Sequence, residues 1–191
     1  NAWHYAALKQ MEGIAGALGK QDDATFYASE SDAFKKRFIR SFFNTRKGYF
    51  TDGLAADTDH ASLHGNMFPL AFDLVPGGKK QSVVDFIQTR GMACSVYGSQ
   101  FLMDALYEAN DAEYALHMLT KTDDRSWYNM IRVGSTISLE AWDNKYKPNQ
   151  DWNHAWGAAP ANIIPRRLMG VEPLTPGFGT ARIKPQLASL E

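Results

Sequence analysis

Apolar residues that recur at the period of an α-helix constrain the fold of this 191-residue chain more than any other feature. The first stretch ends at Gly19, and its apolar stripe consists of His4, Leu8, Met11, Ala15 and Leu18. A second helix, with Asp22 or Asp23 as its N-cap, is predicted to end near Asn44. One face of that helix is aromatic and carries Tyr27, Phe34, Phe38 and Phe42.

The same period predicts helices along most of the remaining chain. A third helix begins at Asp59 and is broken at 76–78, after a short hairpin-like excursion at 48–53. The other helices are predicted over 79–89, 96–109, 111–121, 126–132 and 153–169. Pro160 and Pro165 must kink or shorten the last of them. The tail is predicted to be a turn followed by a strand-like piece, within 176–185.

Consecutive helices joined by short links favour antiparallel helical hairpins. Tetratricopeptide and HEAT arrays also pair helices, but the chain has no repeat at their periods of about 34 or about 40–47 residues. The sequence therefore predicts an all-α fold in which hairpins form a toroid rather than a solenoid. A longer loop interrupts the helices at 133–152.

Composition removes several classes of function. With 45% hydrophobic and 21% charged residues, the chain is globular rather than disordered. Its net charge of -1 gives no electrostatic reason to expect nucleic acid or an anionic membrane as a partner. No apolar run approaches the roughly 18 residues of a membrane span. Cys94 is the single cysteine, so no intrachain disulfide forms, and its small and β-branched neighbours predict a buried thiol rather than a nucleophile.

The candidate chemistry is concentrated in the loop-like stretch 134–157. That stretch contains one candidate acid or base, one histidine and three tryptophans: Glu140, His154, Trp142, Trp152 and Trp156. Aromatic rings cover the C–H faces of a pyranose while a nearby acid handles the protons, so the set is typical of a sugar cleft. The apolar neighbours of Glu140 predict a partly desolvated carboxylate suited to acid–base work. A surface glutamate or a capping acid is the alternative.

The remaining candidates in this region are one histidine and two tryptophans. His154 is predicted in the first turn of a helix capped by Asn153, where the positive helix end favours the neutral imidazole. It would bind a sugar hydroxyl or hold Glu140, and a histidine satisfied by the backbone is the alternative. Trp142, close to Glu140, is the stronger candidate for a sugar-facing ring, whereas core packing is the alternative for Trp127.

A pair of histidines elsewhere has the spacing of two metal ligands. His60 and His64 are four residues apart on a predicted helix, but spacing suggests no third ligand. A polar lining of a helical cavity, shared with Met67 and Ala71, is the preferred interpretation. Phosphate-cradling glycine loops, Gly-x-Ser-x-Gly elbows and paired cysteines are absent, so neither a metal nor a cofactor is predicted.

Several motifs resemble a known family when they are taken together in chain order. They are the stretch 1–5, Ser126 and Trp127 with Met130, 134–136, Glu140 with Trp142 and Asp143, Asn153 and His154 with Gly157, and 176–178 with 183–185. In combination they resemble the C-terminal half of the catalytic domain of bacterial α-L-rhamnosidases, glycoside hydrolase family 78. The resemblance covers essentially the whole chain.

The resemblance implies a fold and a set of roles. The family's catalytic domain is an (α/α)6 barrel followed by a small β-sandwich, and it hydrolyses terminal α-L-rhamnosides with inversion. On this template about half of the barrel occupies 1–175, and the sandwich begins at 176–191. Glu140 matches the general base that activates water, and His154 matches a substrate-binding histidine. Trp142 and Trp127 fall near the same cleft.

The resemblance also implies what is missing. The family's general acid lies in an acidic motif of the first half of the barrel, and no such motif occurs here. We therefore expect the isolated chain to be inactive on a rhamnose-containing glycoside, to require the first half of its barrel as a partner, and to self-associate through exposed faces. A periplasmic or extracellular location is implied, and a cytoplasmic one stays open. The alternatives are a six-hairpin glycosidase with another sugar specificity and a non-catalytic carbohydrate-binding helical module.

Overall fold

A computed structural model describes residues 1–54 and 56–190, and its backbone is mostly helical. The α-helices of this part are α1 (Ala2–Ala17), α2 (Gln21–Phe42), α3 (His64–Ala71), α4 (Lys80–Gln88), α5 (Ser99–Glu108), α6 (Ala112–Thr120), α7 (Trp127–Arg132) and α8 (Ala159–Ile163). Two short antiparallel pairs join β1 (Phe43–Asn44) to β2 (Tyr49–Phe50) and β3 (Val171–Pro173) to β4 (Ala181–Ile183). The all-α class is confirmed. Within the described residues, no helix has both the length and the apolar character that crossing a membrane requires.

The chain divides into two compact units, Asn1–Ile87 and Gln88–Glu191. In the first unit, α1 and α2 pack against each other as an antiparallel helical hairpin. The turn between them uses Gly19, whose φ of 70° lies in the left-handed region that glycine adopts without steric cost. The hairpin predicted from the spacing of the first two helices is therefore present.

The aromatic face predicted for α2 contributes a partly buried cluster of rings to the first unit. Phe38 is buried, and its ring centroid lies 6.1 Å from that of Phe34, 5.1 Å from Phe42 and 5.3 Å from Phe50. Phe50 comes from β2, so the short hairpin predicted at 48–53 adds a ring to this cluster. Aromatic clusters of this kind bury large apolar areas.

Two expectations about the first hairpin are wrong. Of the predicted stripe of α1 only Ala15 is buried, and the rest of the buried face consists of Ala2, Tyr5 and Ala6. The three alanines allow a neighbouring helix to approach closely, whereas Met11 and Leu18 of the predicted stripe are exposed. The helix α2 also begins before its predicted caps, with Lys20 at the N-cap position and both aspartates in the first turn, near the positive helix end.

The third helix begins at His64 rather than at Asp59, so that prediction is also wrong. Asp52 explains the difference because its Oδ1 accepts hydrogen bonds from Ser62 N at 3.1 Å and from Ser62 Oγ at 2.8 Å. The Asp52 amide donates in turn to the His60 carbonyl at 2.9 Å. These bonds compete with the helix for the same backbone groups.

In the second unit, α5 packs on α6 and α8, and α6 packs on α7. The helices predicted over 96–109, 111–121 and 126–132 are confirmed with slightly shorter bounds. Asp111 caps α6 by accepting from the Tyr114 amide at 3.4 Å, and Ser126 caps α7 by accepting from the Asn129 amide at 3.0 Å. The stretch 133–152 has no regular element, as expected for the loop.

The last predicted helix is broken into three pieces. A 3-10 turn, Ala155–Gly157, precedes α8, and a π-turn, Ile164–Leu168, follows it. Pro160 stands at the start of α8 and Pro165 at the start of the π-turn, so the predicted disruption by proline is confirmed. The N-cap role predicted for Asn153 is wrong, because His154 is the residue that precedes the 3-10 turn, and its side chain makes no capping bond.

The tail forms a hairpin rather than a single strand-like piece. Val171 pairs with Ile183, and Pro173 pairs with Ala181. The domain boundary predicted between 175 and 176 falls in the loop of this hairpin and stays a prediction.

Candidate active site

The backbone of the long loop folds back on itself and brings its two ends together. The Glu140 amide donates to the Asp151 carbonyl at 3.0 Å, and the His154 amide donates to the Ser138 carbonyl at 2.9 Å. The Ser138 hydroxyl donates to the His154 carbonyl at 2.7 Å. Residues separated by up to sixteen positions therefore lie side by side.

Both carboxylate oxygens of Glu140 accept hydrogen bonds. The Lys147 ammonium donates to Oε1, and the Asp151 amide donates to Oε2 at 3.0 Å. The Glu140 side chain is only 14% exposed, so the pair is partly shielded from water. The Lys147 hydrogen bond, followed by the Asp151 amide, lowers the pKa of Glu140 below its ordinary value. Desolvation opposes this shift but is outweighed, so the carboxylate is held in its ionised form.

His154 lies beside this carboxylate and is about one quarter exposed. Its Nδ1 is 3.3 Å from Oδ2 of Asp151. One ligand atom each from Glu140, Asp151 and His154 lies within 4.8 Å of the others, and we call these three residues the acid–imidazole cluster. Glu140 and His154 were predicted together from the sequence, whereas Asp151 was missed, because its only sequence signal is its position three residues before His154.

The acid–imidazole cluster has donor types that a divalent cation accepts, namely two carboxylates and an imidazole. The Lys147 ammonium already supplies a positive charge at Glu140 Oε1. A cation bound there would have to displace it. The arrangement is suited to holding an ionised carboxylate next to an imidazole, which is the requirement of a general base with a neighbouring hydrogen-bonding group.

The two tryptophans predicted near the site pack against each other. Trp142 is 3% exposed, and its indole N–H donates to the Cys94 carbonyl at 2.8 Å. The Trp127 ring meets it edge to face at 5.1 Å, and the Trp127 indole N–H donates to the Gly157 carbonyl at 2.9 Å. Trp142 thus lies behind Trp127, and Trp127 is the more exposed ring of the pair.

Cys94, whose carbonyl holds Trp142, is buried as expected. Burial raises the pKa of its thiol to about 12. The thiol is therefore neutral at physiological pH and has no role as a nucleophile.

An exposed aromatic ring packs on His154, and other exposed rings lie nearby in the fold or in the sequence. Its ring centroid is 4.1 Å from that of Trp156, which in turn is 5.4 Å from Tyr97. Trp152, Trp156 and Tyr97 are each between 43% and 48% exposed. Partly exposed aromatic rings are the groups that cover apolar faces of a sugar. Tyr97 was missed, because its contact with Trp156 joins residues 59 positions apart in the sequence.

Two buried amides hold the loop in place. The Asn129 side chain donates to the Trp142 carbonyl and to Asp143 Oδ2, both at 2.9 Å. The side-chain oxygen of Gln150 accepts from the Ala141 amide, also at 2.9 Å. Both amides are shielded from water, so their bonds fix the backbone that directly follows Glu140.

The histidine pair considered as metal ligands is not arranged as expected. His60 precedes α3 and pairs with Asp52, with Nδ1 2.6 Å from Oδ2. His64 opens α3, so the two do not share a helix face. His64 does line an aromatic hollow of the first unit, whereas Met67 is fully buried in the core. The predicted common lining is therefore wrong for His60 and Met67.

Comparison with known proteins identifies the family context. The model of the bacterial alpha-L-rhamnosidase 6 hairpin glycosidase domain matches residues 1–168. An α-L-rhamnosidase of Alteromonas sp. (strain LOR) is 30% identical to this chain in an alignment that is 195 residues long. The alignment covers 90% of this chain and 19% of that protein.

Solved structures agree at the level of the fold. The α-L-rhamnosidase from Dictyoglumus thermophilum superposes with a TM-score of 0.82 at 21% identity, over 96% of this chain and 21% of its own. The Streptomyces avermitilis α-L-rhamnosidase complexed with L-rhamnose gives a TM-score of 0.76 at 21% identity, over 96% of this chain and 18% of its own. The chain thus spans about one fifth of the length of the relatives it matches.

Proposed function

The chain belongs to the bacterial α-L-rhamnosidase six-hairpin glycosidase family, and on that premise we propose that it carries the general-base side of a site that cleaves terminal α-L-rhamnosides with inversion. The observation that supports the proposal is the acid–imidazole cluster, in which Glu140 and His154 lie together at a loop with exposed aromatic rings. The related proteins are named as α-L-rhamnosidases, and one was solved with L-rhamnose.

In the proposed reaction, Glu140 takes a proton from a water molecule while the water oxygen bonds to the anomeric carbon. The bond between that carbon and the leaving oxygen breaks, and a carboxylic acid protonates the leaving oxygen. A carboxylate has about four lone-pair sites, so Glu140 retains acceptor capacity beside Lys147 and the Asp151 amide. Its lowered pKa suits a base that must be ionised before the water arrives.

The other site residues have roles in binding. His154 donates a hydrogen bond to a rhamnose hydroxyl, and Trp127 contributes to the wall of the same cleft. Trp142 has an indirect role in binding, because its buried ring packs against Trp127 and supports it.

The general acid comes from a segment outside these 191 residues, in the first half of the barrel. An inverting site separates the two carboxyl groups by roughly 6.5–9.5 Å, so that half must pack close to the acid–imidazole cluster. On this proposal 1–175 belongs to the barrel, and 176–191 starts the following domain.

The test joins this chain to the first half of a family barrel and measures hydrolysis of an aryl α-L-rhamnoside. Glu140→Gln should lower kcat by about 10²- to 10⁴-fold, the range of a lost general base, while L-rhamnose binding changes little. Glu30→Gln, at an exposed position of α2, is the matched control and should leave kcat unchanged. An equal kcat for the Glu140 variant and its parent would rule out the base role.

The isolated chain should show no turnover above buffer, because one of two cooperating groups is missing. Turnover by the isolated chain that disappears in Glu140→Gln would contradict the assignment of the acid to another segment. Two further results separate the alternatives. Faster hydrolysis of a different aryl glycoside would indicate another sugar specificity, and sugar binding without any hydrolysis by the joined protein would indicate a binding module.

A further inference from the structure

A polar hollow lies in the second unit, apart from the acid–imidazole cluster. It has a volume of about 240 Å³ and lies between the end of α5 and the β3–β4 hairpin. Gly170 lines the hollow, and its carbonyl accepts from the Lys184 amide at 2.9 Å. A Cβ at that glycine would lie 1.9 Å from the Lys184 carbonyl oxygen, so the close approach of the two strands requires glycine.

A buried hydroxyl without a partner lines this hollow. Tyr107 is 1% exposed, and among the described residues its Oη has no hydrogen-bond partner. A buried polar group left unsatisfied costs free energy, so such a group calls for a ligand. Burial also raises the pKa of the Tyr107 phenol, which therefore keeps its proton and remains available as a donor.

The charged lining of the hollow has an excess of positive charge. Four cationic side chains face two carboxylates there: Arg166, Arg167, Arg182 and Lys184 against Glu108 and Glu172. Asp104, which pairs with both Arg166 and Arg167, adds a third carboxylate and leaves one positive charge in excess.

The four cationic side chains differ in how many ion pairs they form with carboxylates. Arg167 is tied to Asp104, Glu108 and Glu172, with contacts of 2.8, 2.6 and 3.3 Å. Arg182 is paired with Glu172 as well. Lys184 makes no ion pair with the described residues and lies at the exposed edge of the hollow. A free ammonium and a free phenol therefore line one site.

We propose that this hollow binds a tetrahedral oxyanion of the phosphate or sulfate class, held by the Tyr107 hydroxyl and the Lys184 ammonium. The guanidinium groups of the lining arginines offer further donors, since their N–H groups match the spacing of phosphate oxygens. The lining donors come from α5, the π-turn and the end of the hairpin, which favours an anion with acceptors in several directions. The site is independent of sugar hydrolysis.

The experiment measures thermal unfolding and isothermal titration of the chain with inorganic phosphate, with sodium chloride at equal ionic strength as the reference. Phosphate should raise the Tm saturably, by roughly 3–6 °C at ten times its Kd. Tyr107→Phe, which removes one oxygen, should leave the phosphate-free Tm unchanged or higher and abolish the increment. Lys184→Gln should weaken phosphate binding at least several-fold, whereas Lys36→Gln, on an exposed face of α2, is the matched control and should have no effect.

Three results would overturn the proposal. One is a phosphate increment of equal size in Tyr107→Phe, which would indicate a general salt effect. Another is a drop in the phosphate-free Tm of that variant with the increment intact, which would mean that the hydroxyl is satisfied in another way. The third is an equal response to acetate, which would exclude the tetrahedral class.

Discussion

At the scale of single residues, Lys147 controls how readily Glu140 takes up a proton. Its ammonium holds Oε1, and this bond is the largest cause of the lowered pKa of Glu140. Lys147→Met should therefore raise the pKa of Glu140 toward or above its ordinary value. Titration of the Glu140 carboxyl carbon by NMR across the acid range measures this in the isolated chain.

The sign of the pH effect follows from the direction of this shift. A carboxyl group whose folded-state pKa is lowered stabilises the fold above its unfolded pKa, and that stability is lost as the pH falls through the folded value. In Lys147→Met this contribution shrinks, and the acidic limb of any pH–rate profile moves to higher pH. Lys145→Met is the matched control, because Lys145 pairs with Asp124. A Glu140 titration curve identical in both variants would contradict the role of Lys147.

At the scale of elements, Gly157 is the point where the 3-10 turn packs closely against the loop that carries Glu140. A Cβ at this position would lie 2.6 Å from the Leu139 carbonyl oxygen and 2.8 Å from the Ser138 Cβ. Gly157→Ala must therefore push the turn away from the loop and strain the bond from the Trp127 indole to the Gly157 carbonyl. We expect a loss of about 1–3 kcal/mol in the free energy of unfolding, the usual cost of overpacking, measured by urea denaturation.

The control for this variant lies in α1. Gly13 is inside the helix, and a Cβ there would meet no atom within 4 Å. Gly13→Ala should stabilise the chain by roughly 0.5–1 kcal/mol, because alanine loses less conformational entropy in a helix. If Gly157→Ala were as stable as the parent, the close approach of turn and loop would not be required for folding.

At the scale of the whole molecule, α1 leaves an apolar row exposed. Met11, Ile14 and Leu18 are 39%, 51% and 66% exposed, and their spacing puts them on neighbouring positions of one helix face. Contiguous exposed apolar surface favours association. We expect the isolated chain to self-associate through this face in sedimentation velocity runs, with Ile14→Lys restoring the monomer and Lys36→Gln having no effect. A parent chain that stays monomeric at every concentration would contradict this.

Most of the fold was predictable because its signals are local. Helical periods, the proline breaks at Pro160 and Pro165 and the caps at Asp111 and Ser126 depend on residues only a few positions apart. The start of α3 was misplaced because its competitor, Asp52, lies ten residues from Ser62. A capping or competing side chain that is distant in the sequence does not change the helical spacing of the apolar residues, so that spacing cannot reveal it.

The candidate site was predictable in part. Glu140 and His154 share one loop-like stretch, and the motifs around them follow the family order, so both were found from the sequence. Asp151 and Tyr97 were missed because their relation to His154 depends on how this stretch folds back on itself and on the segment before α5. The lowered pKa of Glu140 was not predicted, because its largest cause is a hydrogen bond from Lys147 that depends on how the loop folds.

The sequence by itself determined that this chain is helical, which family it resembles and which loop carries its acid and its histidine. Each of those properties is encoded in patterns of a few dozen residues at most. Only the tertiary structure decided that α1 leaves Met11 and Leu18 of its predicted stripe exposed, that Trp142 is more deeply buried than Trp127, and that the Tyr107 hydroxyl has no partner among the described residues. Burial and hydrogen bonding depend on what lies opposite a side chain, and that neighbour is chosen by packing across the fold.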